Sequence, residues 1–256
     1  MKTIILCGGQ GTRMKEETEF KPKPLVLIGG KPILWHIMKI YSHYGFNEFI
    51  LALGYKGNMI KEYFLNQRTF LNDFTLNTKD NKITFHNNDH GDFKITFIDT
   101  GLETLPGERI LRCKPYIPKE DTDFMVTYGD GVSDINIDNL LEFHRRQKTI
   151  GTIMGINPRF KFGTVLVKPD NKISKFSEKP VLEDWINGGF MVFNKKVFSY
   201  INPGETEHAA LKRLSRKGEL SLFRHNGAWA CMDTHKEHAE LNKRWLKDPF
   251  WRVWEK

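Results

Sequence analysis

Residues 1–25 read MKTIILCGGQGTRMKEETEFKPKPL, and this stretch decides how the rest of the chain is interpreted. The apolar run at residues 3–7 ends at glycine, which is typical of a buried strand. Glycines directly after a first strand let backbone N–H groups approach a phosphate. The loop also carries Arg13, and Lys23 stands between two prolines that restrict its backbone. The stretch therefore predicts a strand followed by a phosphate-binding loop with fixed cations.

Two common glycine motifs do not fit this loop. Met14 stands where a dinucleotide-binding fingerprint has its third glycine, and no segment matches GxxxxGK[ST]. A Rossmann dehydrogenase and a P-loop NTPase are therefore excluded. A plain surface turn is the alternative interpretation, and the combination of glycines, Arg13 and Lys23 makes it the weaker one.

Composition sets the broad class. The 256 residues, with 39% hydrophobic content, can bury one sizeable core, and we expect a single domain over residues 1–256. Three cysteines lie far apart, which argues against a disulfide framework or a zinc site. The net charge of +8 suits a polyanion such as a phosphorylated small molecule, and no recognition motif favours nucleic acid. We find no signal peptide or membrane span and expect a cytoplasmic location.

Apolar runs and helical periodicity alternate along the chain. The pattern predicts an α/β fold with a mixed, mostly parallel central sheet flanked by helices. Strands are predicted at residues 3–7, 49–53, 95–99, 124–128, 149–156 and 189–194, and helices at residues 33–44, 59–65, 140–146 and near Val197.

Three segments interrupt this alternation. Residues 66–92 are rich in Asn and Asp and predict a small β excursion with a hairpin. Residues 162–176 predict a second hairpin that turns at Asp170-Asn171. Residues 209–254 are interpreted as helical, with exposed aromatic side chains.

Two carboxylates are candidate Mg²⁺ ligands. Asp130 follows a predicted strand between glycines, at the edge of an open α/β sheet where ligands bind. Mg²⁺ in such sites takes one or two carboxylates together with substrate phosphates. Asp233 is the best second carboxylate, although it could also cap the helix that follows it. Asp130 alone could equally cap a turn.

A later segment could hold an acceptor. Glu178-Lys179-Pro180 places a second lysine before a proline, and Asn187-Gly188-Gly189 precedes another strand. Lys179 could bind a phosphate, while Glu178 and Asn187 could bind hydroxyls. A charged hairpin edge is the simpler alternative.

These residues and several further motifs together resemble a known family. The motifs are Gly8-Gly9-Gln10-Gly11-Thr12-Arg13 with Pro22-Lys23-Pro24, Lys31-Pro32-Ile33-Leu34-Trp35-His36, Gly54-Tyr55-Lys56-Gly57, Tyr128-Gly129-Asp130-Gly131, Ile186-Asn187-Gly188-Gly189-Phe190 and Cys231-Met232-Asp233-Thr234. The set resembles the sugar-1-phosphate nucleotidylyltransferases, in their glucose-1-phosphate cytidylyltransferase branch, and covers essentially the whole chain.

The resemblance implies a nucleotidylyltransferase fold of the GT-A, Rossmann-like type, which binds the nucleotide in about residues 1–135 and the acceptor in about residues 136–256. It implies CMP transfer from CTP to a phosphorylated sugar with Mg²⁺, for surface-polysaccharide precursors, in a homo-oligomer. Arg13, Lys23 and Asp130 would be catalytic, and Asp130 with Asp233 would hold the metal. The remaining carried-over residues are Leu6, Gly8, Gly9, Gly11, Thr12, Arg109 and Gly129 for the nucleotide, and Glu178, Lys179, Asn187 and Gly188 for the acceptor.

Two departures leave the acceptor and the base open. Residues 104–109 read TLPGER where the family has approximately TMTGGR, and residues 207–211 read EHAAL where the family has ExEPL. The loss of a hydrogen-bond partner in a polar pocket can change substrate preference. Another sugar phosphate, a polyol phosphate or another phosphomonoester, or UTP or dTTP as donor, is therefore an alternative. A catalytically silent nucleotide-binding regulator is the alternative from another class.

Overall fold

A computed structural model describes residues 1–87 and 92–255. The strands in chain order are β1 (Thr3–Cys7), β2 (Leu27–Ile28), β3 (Lys31–Pro32), β4 (Glu48–Leu53), β5 (Phe74–Asn77), β6 (Lys82–Phe85), β7 (Lys94–Asp99), β8 (Asp123–Tyr128), β9 (Gly131–Ser133), β10 (Gly151–Ile156), β11 (Thr164–Val167), β12 (Ile173–Ser177), β13 (Ile186–Asn194), β14 (Leu220–Arg224) and β15 (Trp229–Cys231). The helices are α1 (Lys15–Thr18), α2 (Ile33–His43), α3 (Gly57–Leu71), α4 (Pro106–Cys113), α5 (Ile137–Gln147), α6 (Glu207–Arg216) and α7 (His235–Lys247). Short 3-10 segments lie at Thr12–Met14, Lys23–Leu25, Lys114–Tyr116, Lys195–Tyr200 and Val253–Glu255.

The central sheet has seven strands in the order β14-β10-β13-β8-β1-β4-β7. Strand β13 runs antiparallel to β10 and to β8, and the other neighbouring pairs are parallel. The mixed, mostly parallel α/β sheet expected from the sequence is therefore confirmed. Strands β1 and β8 are parallel neighbours, so the loops after Cys7 and Tyr128 leave the sheet at the same edge.

The core lies on both faces of this sheet because successive strand residues point to opposite sides. Ile5 and Leu51 belong to the cluster that packs against α2, α5 and α7, while Ile4 and Ile50 belong to the cluster that packs against α4 and α6. The buried runs in β1 and β4 are thus apolar on both faces, as expected for strands covered by helices on each side.

The C-terminal segment differs from the sequence-based prediction. Helix was expected throughout residues 209–254, but β14 and β15 interrupt it. The aromatic side chains expected to be exposed also pack inward. Trp251 is fully buried, and Trp245 and Trp254 pack against the same core cluster, where all three approach the buried His36 ring. His36 is therefore a packed core residue.

The sequence predicts a small β segment outside the main α/β alternation over residues 66–92. Because α3 continues to Leu71, this segment begins later than predicted. The predicted hairpin then follows as β5 and β6. Residues 88–91 of this segment lie outside the described residues. The second predicted hairpin is also confirmed, with Asn171 at positive φ in the turn between β11 and β12. Helix α4 had no counterpart in the sequence-based prediction. Within the described ranges, no helix combines the length and the apolar character needed to cross a bilayer.

Candidate active site

A cavity of about 490 Å³ opens at the sheet edge where β1 and β8 end. The sequence-predicted catalytic, nucleotide and metal residues all line it: Leu6, Gly8, Gly9, Gly11, Thr12, Arg13, Lys23, Arg109, Gly129, Asp130 and Asp233. Gln10, Glu103 and Tyr128 are lining residues that had no predicted role. The topology thus brings these segments together into one cavity.

An ammonium bridging two carboxylates forms the centre of this cavity wall. Lys23 Nζ lies 2.6 Å from Asp130 Oδ2 and 2.6 Å from Asp233 Oδ1. Arg13 Nη1 donates to Asp233 Oδ2 at 2.9 Å. Burial lowers the pKa of Lys23, but the charges and hydrogen bonds of the two aspartates outweigh it and raise the pKa above its usual value. Burial likewise raises the pKa of Asp233, and the Lys23 hydrogen bond and charge outweigh it, so the net shift is downward.

Local contacts fix the glycine loop in front of this group. Gly11 adopts φ +64°, a conformation that L residues other than glycine rarely adopt. The buried Thr18 hydroxyl lies within hydrogen-bond distance of two carbonyl oxygens of the loop, Gly11 O at 3.1 Å and Met14 O at 3.0 Å. Pro22 caps the 3-10 turn that holds Lys23, with the extended backbone that its ring favours. The prediction of a stiffly held lysine agrees with this geometry.

Arg109 supports the loop from beneath. Its guanidinium is buried and donates to the carbonyl oxygens of Gly8, Leu53, Gly101 and Leu102 and to the Thr100 hydroxyl. An added Cβ at Gly8 would lie 2.2 Å from Arg109 Cζ, so only glycine allows this approach. Because these protein acceptors take up its donors, Arg109 positions the loop here, and direct nucleotide binding by Arg109 stays a prediction.

Asp130 and Asp233 fit a Mg²⁺ site by the chemistry of their donor atoms. Both present carboxylate oxygens, the ligands that Mg²⁺ prefers, to the same cavity wall. Both already contact one cationic group, Lys23 Nζ, so the protein holds them close to a shared positive charge. They are therefore suitable for a shared divalent cation.

A second cavity of about 310 Å³ continues from the first, with Arg13, Tyr128, Asp130 and Asp233 on the shared wall. Its other lining residues include Asn187, Gly188, Glu207, His208 and Trp229. The Asn187 amide donates to Tyr128 OH at 3.3 Å, and Trp229 Nε1 donates to Gly188 O at 2.7 Å. The predicted acceptor residues Asn187 and Gly188 thus lie beside the predicted catalytic group.

The other two predicted acceptor residues lie elsewhere. Glu178 and Lys179 follow β12, their side chains are 61% exposed, and they pair with each other at 3.6 Å. Neither lines the two cavities described above. Their role in binding an acceptor stays a prediction.

One of the two sequence departures reaches a cavity wall, because Leu105 and Pro106, where the family has approximately Met and Thr, line the first cavity. Glu108 turns its carboxylate to Arg112 at 2.6 Å and accepts a hydrogen bond from Gly204 N at 2.9 Å. Ala210 is buried in the core beneath α6. None of Glu108, Ala209 and Ala210 lines either cavity. These three residues therefore lie outside both cavity walls, whereas Leu105 and Pro106 change the wall of the first cavity.

A second group of potential metal ligands lies outside the cavities. Glu17, His235 and His238 bring one ligand-type atom each within 4.8 Å of one another. Glu17 already pairs with Lys21 at 3.0 Å, and a ring nitrogen of His238 bonds to the carbonyl of Leu27 at 2.9 Å. The Glu17 pair thus joins α1 to the loop that follows it, and the His238 contact joins α7 to β2.

Comparison with known proteins finds a matching family model and relatives over nearly the whole chain. A family model described as "Nucleotidyl transferase" matches residues 2–243. The chain is 41% identical over 259 residues to the glucose-1-phosphate cytidylyltransferase of Salmonella typhimurium, covering 100% of both chains. It is 47% identical over 258 residues to a Bacillus subtilis (strain 168) protein named "Probable glucose-1-phosphate cytidylyltransferase", covering 99% of this chain and 100% of that one.

The fold also has solved counterparts. The inositol-1-phosphate CTP transferase of T. maritima superposes with a TM-score of 0.65 at 17% identity, over 96% of each chain. HddC from Yersinia pseudotuberculosis gives a TM-score of 0.69 at 22% identity, over 95% of this chain and 99% of that one. These structures support the fold alone, whereas the family match and the two sequence relatives extend over nearly the whole chain. The chain belongs to the nucleotidyl transferase family.

Proposed function

We propose that the protein transfers CMP from CTP to glucose 1-phosphate, with release of pyrophosphate and formation of CDP-glucose. The observation that carries this proposal is the Lys23 ammonium between Asp130 and Asp233, on the wall shared by two adjoining cavities. One cavity follows a glycine loop suited to a triphosphate, and the other has polar groups suited to a sugar. The reaction needs two such sites side by side.

The chemistry requires anions to approach each other. A phosphate oxygen of the acceptor attacks the α-phosphorus of CTP, the bond to the β-phosphate oxygen breaks, and pyrophosphate leaves. Arg13 and Lys23 neutralise the phosphate charges, and the backbone N–H groups of the loop after β1 hold the nucleotide. No enzyme nucleophile is required, because positioning and charge neutralisation lower the barrier.

Asp130 and Asp233 are the residues that would hold Mg²⁺. When bound there, the ion would supply further positive charge for the phosphates. The Lys23 ammonium contacts the same two carboxylates.

Glucose 1-phosphate is the preferred acceptor for two reasons. Relatives at 41% and 47% identity over the whole chain carry that substrate in their names. None of the departures lines the second cavity, since Leu105 and Pro106 line the first cavity and Glu108, Ala209 and Ala210 line neither, so they give no reason to assign another acceptor. CTP is assigned as donor on the same relatives.

The proposal also covers the domain organisation, location, assembly and product of the protein. We place the chain as a single catalytic domain that acts in the cytoplasm as a homo-oligomer, and its CDP-sugar product would serve the assembly of surface polysaccharides. Glu178 and Lys179 are retained as acceptor-binding residues, with Lys179 for the phosphate.

A pyrophosphate-release assay tests the activity. Purified protein is incubated with Mg²⁺, each of CTP, UTP, dTTP, ATP and GTP in turn, and a panel of phosphomonoesters that includes glucose 1-phosphate, inositol 1-phosphate and glycerol 3-phosphate. We expect CTP with glucose 1-phosphate to give the highest kcat/KM. A higher value with another pair would replace the donor or acceptor named here, and nucleotide binding without release from any pair would establish a silent regulator.

A further inference from the structure

One buried carboxylate oxygen in the second cavity has unused hydrogen-bonding capacity. Glu207 is 4% exposed and is the first residue of α6. Its Oε1 accepts a hydrogen bond from Tyr128 OH at 2.7 Å, and the His208 ring nitrogen lies 3.3 Å from the same oxygen. Its Oε2 is buried and has no hydrogen-bond partner within residues 1–87 and 92–255.

Such an oxygen requires an explanation. Leaving a buried charged acceptor without a donor is destabilising, and native proteins retain few such groups. Other buried side-chain atoms without a partner in the described chain, such as the Thr3 hydroxyl and Trp35 Nε1, belong to residues that line neither cavity, whereas Glu207 lines the second. Among the described residues, Glu207 Oε2 is therefore an unpartnered oxygen of a cavity-lining residue, and a ligand in the second cavity can supply the missing donor.

Several polar groups beside Glu207 on this wall are already hydrogen-bonded to one another. The Tyr128 hydroxyl already donates to Glu207 and accepts from Asn187. Asn187 Oδ1 accepts from Gly189 N at 2.9 Å, and Gly188 O accepts from Trp229. These bonds hold the wall rigid, and a carboxylate held rigid by its neighbours discriminates between ligands by whether they present a donor.

We propose that Glu207 is a specificity residue that accepts, through Oε2, a hydrogen bond from one ring hydroxyl of the sugar acceptor. This proposal rests on the proposed function. The acceptor phosphate lies toward Arg13, Asp130 and Asp233 on the shared wall, and the hydroxylated ring occupies the cavity of about 310 Å³. That volume is at the lower end of the range for small-molecule pockets, which suits a single sugar ring.

The test is a thermodynamic cycle between protein and substrate. Initial rates are measured with CTP, Mg²⁺ and either glucose 1-phosphate or its monodeoxyfluoro analogues, one for each ring hydroxyl, because fluorine cannot donate a hydrogen bond. For the wild-type protein, we expect one analogue to lose about 10- to 150-fold in kcat/KM, the range for a hydrogen bond to a charged group. In Glu207→Gln, glucose 1-phosphate should lose about tenfold or more, and the same analogue should differ from it by less than about threefold.

Matched controls isolate the effect. Glu120→Gln removes an exposed carboxylate outside both cavities and should keep the wild-type discrimination. The KM for CTP should stay within about threefold in Glu207→Gln, since the nucleotide cavity does not include this residue. A thermal unfolding curve confirms that the variant is folded.

The outcomes separate the two proposals. Absence of pyrophosphate release by the wild-type protein with CTP and glucose 1-phosphate would overturn the proposed function. Normal turnover with equal tolerance of all the fluoro analogues would overturn only the role of Glu207, and this measurement does not depend on a variant folding. A wild-type preference for glucosamine 1-phosphate that disappears in Glu207→Gln would assign Oε2 to an ammonium and would overturn the hydroxyl assignment.

Discussion

Lys23 Nζ and Asp130 Oδ2, from residues 107 apart in the chain, lie 2.6 Å apart in the wall of the first cavity. The Lys23 ammonium also contacts Asp233, so one positive charge partly neutralises two carboxylates that come from separate segments of the chain. A variant without it would leave two carboxylates facing each other where an anionic nucleotide must bind.

Lys23→Ala should therefore lower turnover strongly. We expect a loss of tens to several hundredfold in kcat, equivalent to roughly 2–4 kcal/mol of barrier, the range for removing one charge-stabilising group. The measurement is pyrophosphate release at saturating CTP. Lys21→Ala, which removes a neighbouring lysine paired with Glu17, is the matched control and should stay near wild type. Comparable rates for Lys23→Ala and wild type would refute the role of Lys23.

The two carboxylates give a separate prediction about Mg²⁺. Asp130→Asn and Asp233→Asn should each raise the Mg²⁺ concentration for half-maximal rate by about tenfold or more, because a neutral amide is a weaker ligand than a carboxylate. Asp138→Asn changes an exposed acid at the start of α5 and should leave that concentration unchanged. Chelation of Mg²⁺ should stop turnover by the wild-type protein without changing its melting temperature. An unchanged Mg²⁺ dependence in both variants would remove these residues from the metal site.

The sequence was sufficient to predict which residues gather around the first cavity. Glycine after a buried strand, a lysine between prolines and an acid after a strand each have a local signature, and parallel topology brings such strand ends to one edge. Thus Lys23 and Asp130 could be placed together before the structure was known. Strands β1, β4 and β8 each end at the residue predicted from the sequence.

The contacts in the second cavity could not be predicted from the sequence, because they depend on tertiary packing. Tyr128 and Glu207 are 79 residues apart, and their contact requires the docking of α6 against the end of β8, for which the sequence has no local signal. In the sequence, Tyr128 stands at the start of one motif and Glu207 at the start of the segment that departs from another. The predicted exposure of the aromatic residues after Arg244 is wrong for the same reason. Their burial against His36 arises from the packing of α7 and the C-terminal turn.

His36 makes stability depend on pH. Burial, together with the nearby charges of Arg252 and Lys31, lowers the pKa of His36 to about 4, although a hydrogen bond to the Ile28 carbonyl opposes the shift. The unfolded chain, with a histidine pKa near 6.5, binds the proton more readily than the folded protein. The stability contributed by neutral His36 is therefore complete above about pH 6.5 and is lost progressively as the pH falls toward 4, to an extent on the order of 3 kcal/mol.

Urea unfolding between pH 4 and pH 7.5 measures this dependence. His36→Gln should reduce the slope of unfolding free energy against pH within that window, whereas His43→Gln, an exposed position on the same helix, should preserve it. Some slope should remain, because burial also lowers the pKa of His144. Equal slopes for wild type and His36→Gln would show that His36 does not titrate as described.

Two adjacent glycines allow the support of the nucleotide loop to be tested separately from nucleotide contact. An alanine Cβ at Gly8 would lie 2.2 Å from Arg109 Cζ, while a Cβ at Gly9 would meet no atom within 4 Å. Gly8→Ala must displace the Arg109 guanidinium and weaken its bonds to Leu53, Thr100 and Gly101, so we expect a loss of about 1–3 kcal/mol in unfolding free energy. Gly9→Ala should leave that free energy within about 0.5 kcal/mol of wild type. Because Gly9 lines the open cavity, its added methyl group should instead raise the KM for CTP. Equal stability of the two variants would contradict the assignment of Arg109 as the support of the loop, and an unchanged KM in Gly9→Ala would place the nucleotide away from this residue.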